Sequence, residues 1–116
     1  MSANNEYIGK RIKSLRNEHH ISQAVLSQEI AVDKTTISGY ERGRITPPLD
    51  VVVLLAKYFD VSTDYLLGIT DYRYSAAHLG DPVCKGMTVG GFIDSYLALD
   101  LSSKNIIAVL VKKLMK

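Results

Sequence analysis

The sequence predicts an all-α protein made of a five-helix domain, a linker and a two-helix tail. Apolar residues recur at helical intervals in seven short segments, which capping residues, glycines or prolines separate. Residues 1–68 carry no strict alternation of apolar and polar residues, the pattern typical of a strand. We therefore expect the domain over residues 1–68, the linker over 69–86 and the tail over 87–116.

The first three predicted helices lie within residues 7–42. In the first helix, Ile8, Ile12 and Leu15 follow the i, i+4, i+7 spacing of one apolar stripe. Ser22 can cap the second helix and Asp33 the third, because their side-chain oxygens can accept from the free N–H groups of a first turn. The apolar residues that these two helices turn inward are Leu26, Ile30, Ile37 and Tyr40.

Two further helices complete the predicted domain. Gly43 ends the third helix, and Pro47-Pro48 opens the fourth, because proline suits a first helical turn. Ser62 can cap a short fifth helix that ends at Gly68 in a left-handed conformation. The apolar residues of the fourth helix are Leu54, Leu55, Tyr58 and Phe59, whose rings we expect in a core rather than in a base-stacking platform.

Residues 69–86 break the helical pattern. Glycine and proline interrupt them and their polarity is mixed, which predicts a linker or an irregular arm. The alternation of Tyr72, Arg73 and Tyr74 leaves a short strand as the alternative.

Helical periodicity returns in the tail. Its second helix can be capped by Ser102 or Ser103, and only Asp100 and Leu101 separate it from the first, so we expect an antiparallel hairpin. The apolar faces exceed what a lone hairpin can bury, which predicts self-association. The residues expected at the dimer interface are Phe92, Ile93, Tyr96, Ile106, Ile107, Leu110 and Leu114.

Charge is distributed unevenly along a chain whose formal net charge is +2. Residues 7–48 hold seven basic and four acidic groups, whereas residues 49–68 hold one basic and three acidic groups. A basic face with an acidic back orients a protein on DNA. An evenly solvated mixed surface is the alternative.

The sequence argues against several other classes of protein. Its N-terminal residues lack the apolar stretch of a secretion signal, and the apolar runs 51–56 and 106–111 are too short to cross a bilayer. The single cysteine, Cys84, fits a reducing cytoplasm, where we expect the protein, and a redox sensor is the less favoured reading of it. His19 and His20 are adjacent and share no helix face, so we expect no metal site. No catalytic set or phosphate loop emerges, so we expect neither an enzyme nor a cofactor.

A helix-turn-helix motif spans residues 22–42. Residues 31–33 join its helices and are few enough to force a sharp crossing, which places the later helix in a major groove. The run DKTTISGYERG at 33–43, with Ser22-Gln23 before it, closely resembles the Cro-like XRE family of phage and bacterial repressors. The flanks IGKRIKSLR at 8–16, LAK at 55–57 and VSTDYLLG at 61–68 resemble the family too. The resemblance implies a lambda-repressor-like five-helix DNA-binding domain over about residues 7–68.

The resemblance also implies site residues. Those expected to contact DNA are Gln23, Lys34, Thr35, Thr36, Ser38, Arg42 and Arg44. The glutamine would hydrogen-bond near the DNA backbone and brace the recognition helix, and residues 34–36 would face base edges. The remaining three would contact phosphates, which fix register without reading sequence.

Two further positions follow from the same resemblance. Arg16 and Glu41 match a structural ion pair between the first helix and the end of the recognition helix. Gly39 departs from the family pattern, in which many members carry a longer polar side chain that contacts a base.

The sequence thus predicts a DNA-binding transcriptional regulator, a homodimeric repressor on a palindromic operator in double-stranded DNA. The alternative is an antitoxin-like or co-regulator module whose C-terminal helices bind a different protein. The sequence names no effector, whether a protein or a peptide.

Overall fold

Seven α-helices account for most of residues 3–115, the part of the chain that the computed structural model describes. These residues divide after Ser75 into two units, called here the N-terminal and the C-terminal unit. The N-terminal unit holds α1 (Ala3–Glu18), α2 (Gln23–Ile30), α3 (Lys34–Glu41), α4 (Leu49–Phe59) and α5 (Thr63–Leu66). The C-terminal unit holds a 3-10 helix (Ala76–Gly80), β1 (Pro82–Cys84), β2 (Met87–Thr88), α6 (Val89–Leu97) and α7 (Leu101–Leu114). The predicted class, five helices followed by a C-terminal helical hairpin, is confirmed.

Serine side chains begin two of the helices as predicted. Ser22 Oγ accepts the Val25 N–H at 3.1 Å, and Ser62 Oγ accepts the Tyr65 N–H at 3.0 Å. Asp33 precedes α3, but the prediction that its side chain caps the helix is wrong. Its backbone is at φ −56° and ψ 141°, and its carboxylate accepts no hydrogen bond from the first turn of the helix.

One apolar core lies inside the N-terminal unit. The stripe of α1 is fully buried there, and α2 to α5 turn their own apolar residues onto it. Its members are Ile8, Ile12, Leu15, Leu26, Ile30, Ile37, Tyr40, Val51, Val52, Leu55, Phe59, Val61 and Leu66. Leu54 is exposed, because the buried positions of α4 form a stripe on its other side.

Residues 69–75, the first part of the predicted linker or irregular arm, form a strap that packs along the rest of the N-terminal unit. The Ser62 N–H donates to the Arg73 carbonyl at 2.8 Å, and Tyr74 forms an isolated bridge with Val61. The short strand considered for this region therefore amounts to one bridge. Arg73 also holds the Glu18 carboxylate in two hydrogen bonds of 2.7 and 3.2 Å, which lower the pKa of Glu18.

The C-terminal unit begins inside the predicted linker. Residues 76–80 form the 3-10 helix, and β1 and β2 form an antiparallel hairpin that turns at Gly86, where φ is +83°. The Val89 N–H donates to the Asp81 carbonyl at 2.8 Å. A Cβ on Gly90 would lie 3.1 Å from the Leu79 carbonyl oxygen, so this glycine permits the close approach of α6 to the 3-10 helix. The linker prediction missed these elements because they depend on contacts with α6.

Side chains cap both tail helices. Thr88 Oγ1 accepts the Gly91 N–H at 3.0 Å before α6, and Asp100 Oδ1 accepts the Ser103 N–H at 2.8 Å before α7. The expected cap at Ser102 or Ser103 is therefore wrong, because α7 begins at Leu101 and Asp100 takes the capping position. The hydrogen bond with Ser103 lowers the pKa of Asp100.

No residue of the C-terminal unit among residues 76–115 is buried. The apolar side chains of α6 and α7 remain half-buried or exposed, with Leu114 84% exposed. Of the helices described between residues 3 and 115, none has both the length and the hydropathy needed to cross a membrane.

Candidate nucleic-acid interface

α2 and α3 are joined by a sharp three-residue turn. Ala31 has a left-handed backbone, φ 55° and ψ 46°, and the Val32 N–H donates back to the Ser27 carbonyl at 3.1 Å. Leu26 of α2 and Ile37 of α3 are both fully buried. The turn and the shared core together fix the angle at which α3 leaves α2.

α1 supports the back of α3 through a close backbone approach. A Cβ on Gly9 would lie 2.8 Å from the Glu41 carbonyl oxygen and nearer still to that of Tyr40. Those oxygens belong to the main chain and cannot rotate away. Only glycine therefore allows α1 and α3 to lie so close together at this position.

Arg16 and Glu41 lie together at the end of α3, as the family resemblance implied. Arg16 Nε donates to Glu41 Oε2 at 2.8 Å and Nη2 donates to Oε1 at 2.9 Å, a bidentate pair. The side chains are 12% and 4% exposed, respectively. The hydrogen bond with Glu41 raises the pKa of Arg16, so the guanidinium stays charged.

Gln23 joins this pair from the start of α2. Its Nε2 donates to Glu41 Oε1 at 3.1 Å, while Arg16 Nη1 donates to the Ile21 carbonyl at 3.0 Å. Glu41 is thus held from both α1 and α2. The bracing contact proposed for Gln23 exists within the protein itself.

The exposed face of α3 consists of Lys34, Thr35, Ser38 and the residue that caps the end of the helix, Arg42; Ser38 is half-buried and the other three are exposed. At about 100° per residue, they fall within an arc of about 100° on the side of the helix away from the core. Thr36 is half-buried and lies outside this arc, so the structure separates it from the two residues with which the sequence grouped it.

Ser38 and Arg42 contact each other on that face. Arg42 Nη2 donates to Ser38 Oγ at 2.9 Å. Arg44 is exposed just beyond the helix, after Gly43 at φ +72°, and its N–H donates to the Gly39 carbonyl at 2.9 Å. The three residues expected at phosphates therefore lie at one end of the exposed face of α3.

Two of the seven basic residues in segment 7–48 hold parts of the protein together instead of lying free on the basic face. Arg16 belongs to the pair described above, and Arg11 anchors the strap. Arg11 Nη1 donates to the Tyr65 and Thr70 carbonyls at 3.0 and 3.3 Å, and Nη2 pairs with Asp71 Oδ1 at 2.9 Å. Periodicity alone could not show this, because the partners lie far along the chain. The basic residues of the segment that remain exposed are Lys10, Lys13, Lys34, Arg42 and Arg44.

Ile45 is a residue of this region that the sequence did not single out. Its side chain lies against Gly39 of α3, so that a Cβ there would stand 2.8 Å from Ile45 Cγ1. The available signal was a glycine within a helix, followed six residues later by an apolar residue in a polar loop.

His19 and His20 directly follow α1. The His19 ring makes an edge contact with Phe59, with centroids 5.1 Å apart, and His20 has φ 55°. Among the described residues, no three potential metal ligands come together.

The expected dimer residues occupy two surfaces of the C-terminal unit. Phe92, Ile93, Tyr96 and Ile107 line an open groove of about 410 Å³ between α6 and α7. A second apolar surface on α7 includes Ile106, Val109 and Leu110. Leu114, the remaining expected residue, is the last residue of α7 and is 84% exposed.

Comparisons with known proteins agree on the N-terminal unit. A helix-turn-helix family model matches residues 12–66. The chain is 42% identical over 62 residues to YobD of Bacillus subtilis, an uncharacterized HTH-type transcriptional regulator, a match covering 53% of this chain and 55% of that protein. The chain spans about half the length of the curated relatives it matches.

Two solved structures are similar to this chain. The P22 c2 repressor, crystallised with a synthetic operator, is 35% identical with a TM-score of 0.50, over 52% of this chain and 91% of that one. A transcriptional regulator from Listeria innocua has a TM-score of 0.53 over 92% of this chain and 91% of its own. At 20% identity, this is a likeness of fold alone.

Proposed function

Residues 12–66 belong to the helix-turn-helix family, and from this we propose that the chain is an XRE and Cro-like transcriptional regulator that represses transcription as a homodimer on a palindromic operator. Repression is inferred because a protein that occupies a promoter blocks it by default. A regulator of this kind acts where the DNA is, so we infer a cytoplasmic location.

The observation that carries the proposal is the exposed face of α3, braced from behind by Gln23, Arg16 and Glu41. A rigid helix with a polar and basic outer face is what a major groove admits. Lys34 and Thr35 lie in its first turn, where side chains reach base edges. Lysine suits guanine acceptors, and threonine offers a hydroxyl and a methyl group.

Phosphate contacts would hold this helix in register. Ser38, Arg42 and Arg44 supply hydroxyl and guanidinium donors at the far end of the exposed face of α3, and Gln23 lies at the start of α2. Such contacts position a protein without reading sequence. The P22 c2 repressor, similar to this chain over the same unit, was crystallised with an operator, which supports double-stranded DNA as the partner.

Dimerisation through the C-terminal unit would supply the second half of the site. The groove between α6 and α7 and the second surface of α7 leave apolar side chains exposed, among them Ile106 at 63% and Leu110 at 55%, which a second copy of the chain would cover. A twofold dimer would present two recognition helices about 34–36 Å apart, one helical turn of DNA.

The second candidate function uses the same apolar surfaces for a different protein, as in an antitoxin-like or co-regulator module. It is favoured by the apolar side chains of α6 and α7 that stay exposed in the C-terminal unit, because a different protein with an apolar surface would cover them as well as a second copy would. Sedimentation of the pure protein separates the two: a stable dimer supports the regulator, and a monomer supports a missing partner.

Selection of bound sequences from a random DNA pool tests the proposal. We expect one inverted repeat whose half-sites are centred about 10 base pairs apart or a multiple of it. Recovery of no common sequence, or of a single unrepeated half-site by a protein that sediments as a dimer, would contradict it.

A further inference from the structure

The side chain of Ile45 replaces the side chain that Gly39 lacks. The N–H groups of Arg44 and Ile45 donate to the Gly39 carbonyl at 2.9 and 3.3 Å, which folds the loop after α3 back onto the helix. Ile45 then lies on the surface that a residue-39 side chain would cover, within contact distance of its missing Cβ. The loop residue thereby becomes part of the surface of α3.

This surface borders the exposed face of α3. Gly39 lies about 40° around the helix from Thr35, which is at the edge of that face. Ile45 is 42% exposed, whereas the core residues of the unit are at most 7% exposed. An apolar group therefore stands beside Thr35, at a position where neither Gly39 nor Ile45 offers a side-chain hydrogen-bonding group.

We propose that Ile45 reads thymine, by packing against the C5-methyl group of one thymine in each half-site. This inference rests on the proposed function, because it takes the exposed face of α3 to lie in a major groove. Thymine is the base that presents a methyl group there, and apolar contact is how proteins recognise it. Ile45 would add a specificity-determining contact in the same groove as Lys34 and Thr35.

Deoxyuridine tests this contact directly, because it lacks the methyl group and keeps the pairing edge and the O4 acceptor. Each thymine of the selected operator is replaced in turn, and every operator is titrated with the full-length protein and with Ile45→Ala. Burial of one methyl group changes affinity about fourfold. We expect one position per half-site where deoxyuridine costs the wild-type protein about fourfold, and where Ile45→Ala shows no such loss.

Two results would overturn the inference while leaving the proposed function intact. In one, the operator is bound and no deoxyuridine replacement weakens the wild-type protein. In the other, Ile45→Ala remains as sensitive as the wild type at the same thymine, which would assign the methyl contact to a different residue such as Thr35. Failure to select any operator would remove both proposals, and it would appear before any replacement is made.

Leu54→Ala is the matched control. Leu54 is 46% exposed on α4, so its loss removes a similar apolar group outside α3 and its loop. We expect this variant to keep the wild-type response to deoxyuridine. Melting curves establish that both variants are folded. If Ile45→Ala does not fold, Ile45→Val replaces it and should weaken the response at the same thymine, and the wild-type titrations decide by themselves whether a methyl contact exists.

Discussion

At the scale of single residues, we predict that Lys34 on the exposed face of α3 contacts a base and that Arg44, just beyond the helix, contacts a phosphate. Lys34→Ala should cost about 1–3 kcal/mol on the preferred operator and less on operators altered at the base pair it reads. Arg44→Ala should weaken binding to all sequences about equally and lower the salt slope by about one.

A panel of operator variants, titrated with both proteins at several salt concentrations, measures this difference. Arg44→Ala serves as the internal control, because both variants remove one exposed positive charge. A uniform loss over the panel for Lys34→Ala would make that lysine a phosphate contact.

The pair of Arg16 and Glu41 gives a second prediction at this scale. Glu41→Ala should lower the free energy of unfolding by about 3–5 kcal/mol, because Arg16 then remains charged in a largely buried position without its carboxylate. Glu18→Ala is the matched control, since its pair with Arg73 has side chains 45% and 38% exposed and should be worth at most about 1 kcal/mol.

Urea denaturation of the two variants measures both losses, and equal losses would contradict the assignment. The pH dependence of stability gives a further test of the Glu18→Ala control. Because Arg73 lowers the pKa of Glu18 in the folded protein, the stability that Glu18 contributes is present at neutral pH. It is lost as the pH falls through the range in which the carboxylate takes up a proton, so Glu18→Ala should approach the wild type in acid.

At the scale of elements, the crossing of α1 and α3 depends on Gly9. Gly9→Ala should destabilise the protein by about 1–3 kcal/mol and weaken operator binding, because a Cβ would meet the main chain of Tyr40 and Glu41 and push α3 out of place. Gly80→Ala is the control, since a Cβ there meets nothing within 4 Å. Thermal melting and operator titration of both proteins test the prediction, and equal behaviour would show that α1 can shift without cost.

The elements of the N-terminal unit could be predicted because each helix carries its own signals. Ile8, Ile12 and Leu15 lie within two turns of one another, and Ser22 and Ser62 each cap a helix that starts at the next residue. The strap could not be predicted, because Arg11 with Asp71 and Glu18 with Arg73 join residues far apart in the chain.

In the candidate site, too, some residues could be predicted from the sequence and others could not. The exposed face of α3 follows from helical spacing within one motif, so Lys34 and Thr35 could be named from the sequence. Ile45 could not, because its contact with Gly39 depends on how a non-helical loop folds back. Thr36 stays a prediction: the motif groups it with its neighbours, whereas the structure places it outside the arc of the exposed face of α3.

At the scale of the whole molecule, the two units differ in whether they have a buried core of their own. The N-terminal unit has a buried core, whereas no residue among 76–115 is buried. Residues 1–75 should therefore fold as a monomer that binds the operator weakly, because the two half-sites are no longer linked through one protein. Sedimentation and operator titration measure this, and a tight dimer of residues 1–75 would contradict it.

A shorter fragment, residues 1–68, is the natural comparison. It lacks Asp71 and Arg73, so Arg11 and Glu18 lose their ionic partners. We expect it to unfold at a lower temperature than residues 1–75. Equal melting temperatures would show that the strap adds nothing to the stability of the unit.

The absence of burial in residues 76–115 has a consequence for the dose response of the regulator. If the apolar side chains of α6 and α7 become buried only against a second copy of the chain, folding of the tail and dimerisation become one equilibrium, which depends on protein concentration. Below its midpoint, doubling the number of chains would raise the number of dimers about fourfold. Occupancy of the operator would then rise more steeply than the supply of protein, so a change in synthesis or degradation would change repression more than in proportion.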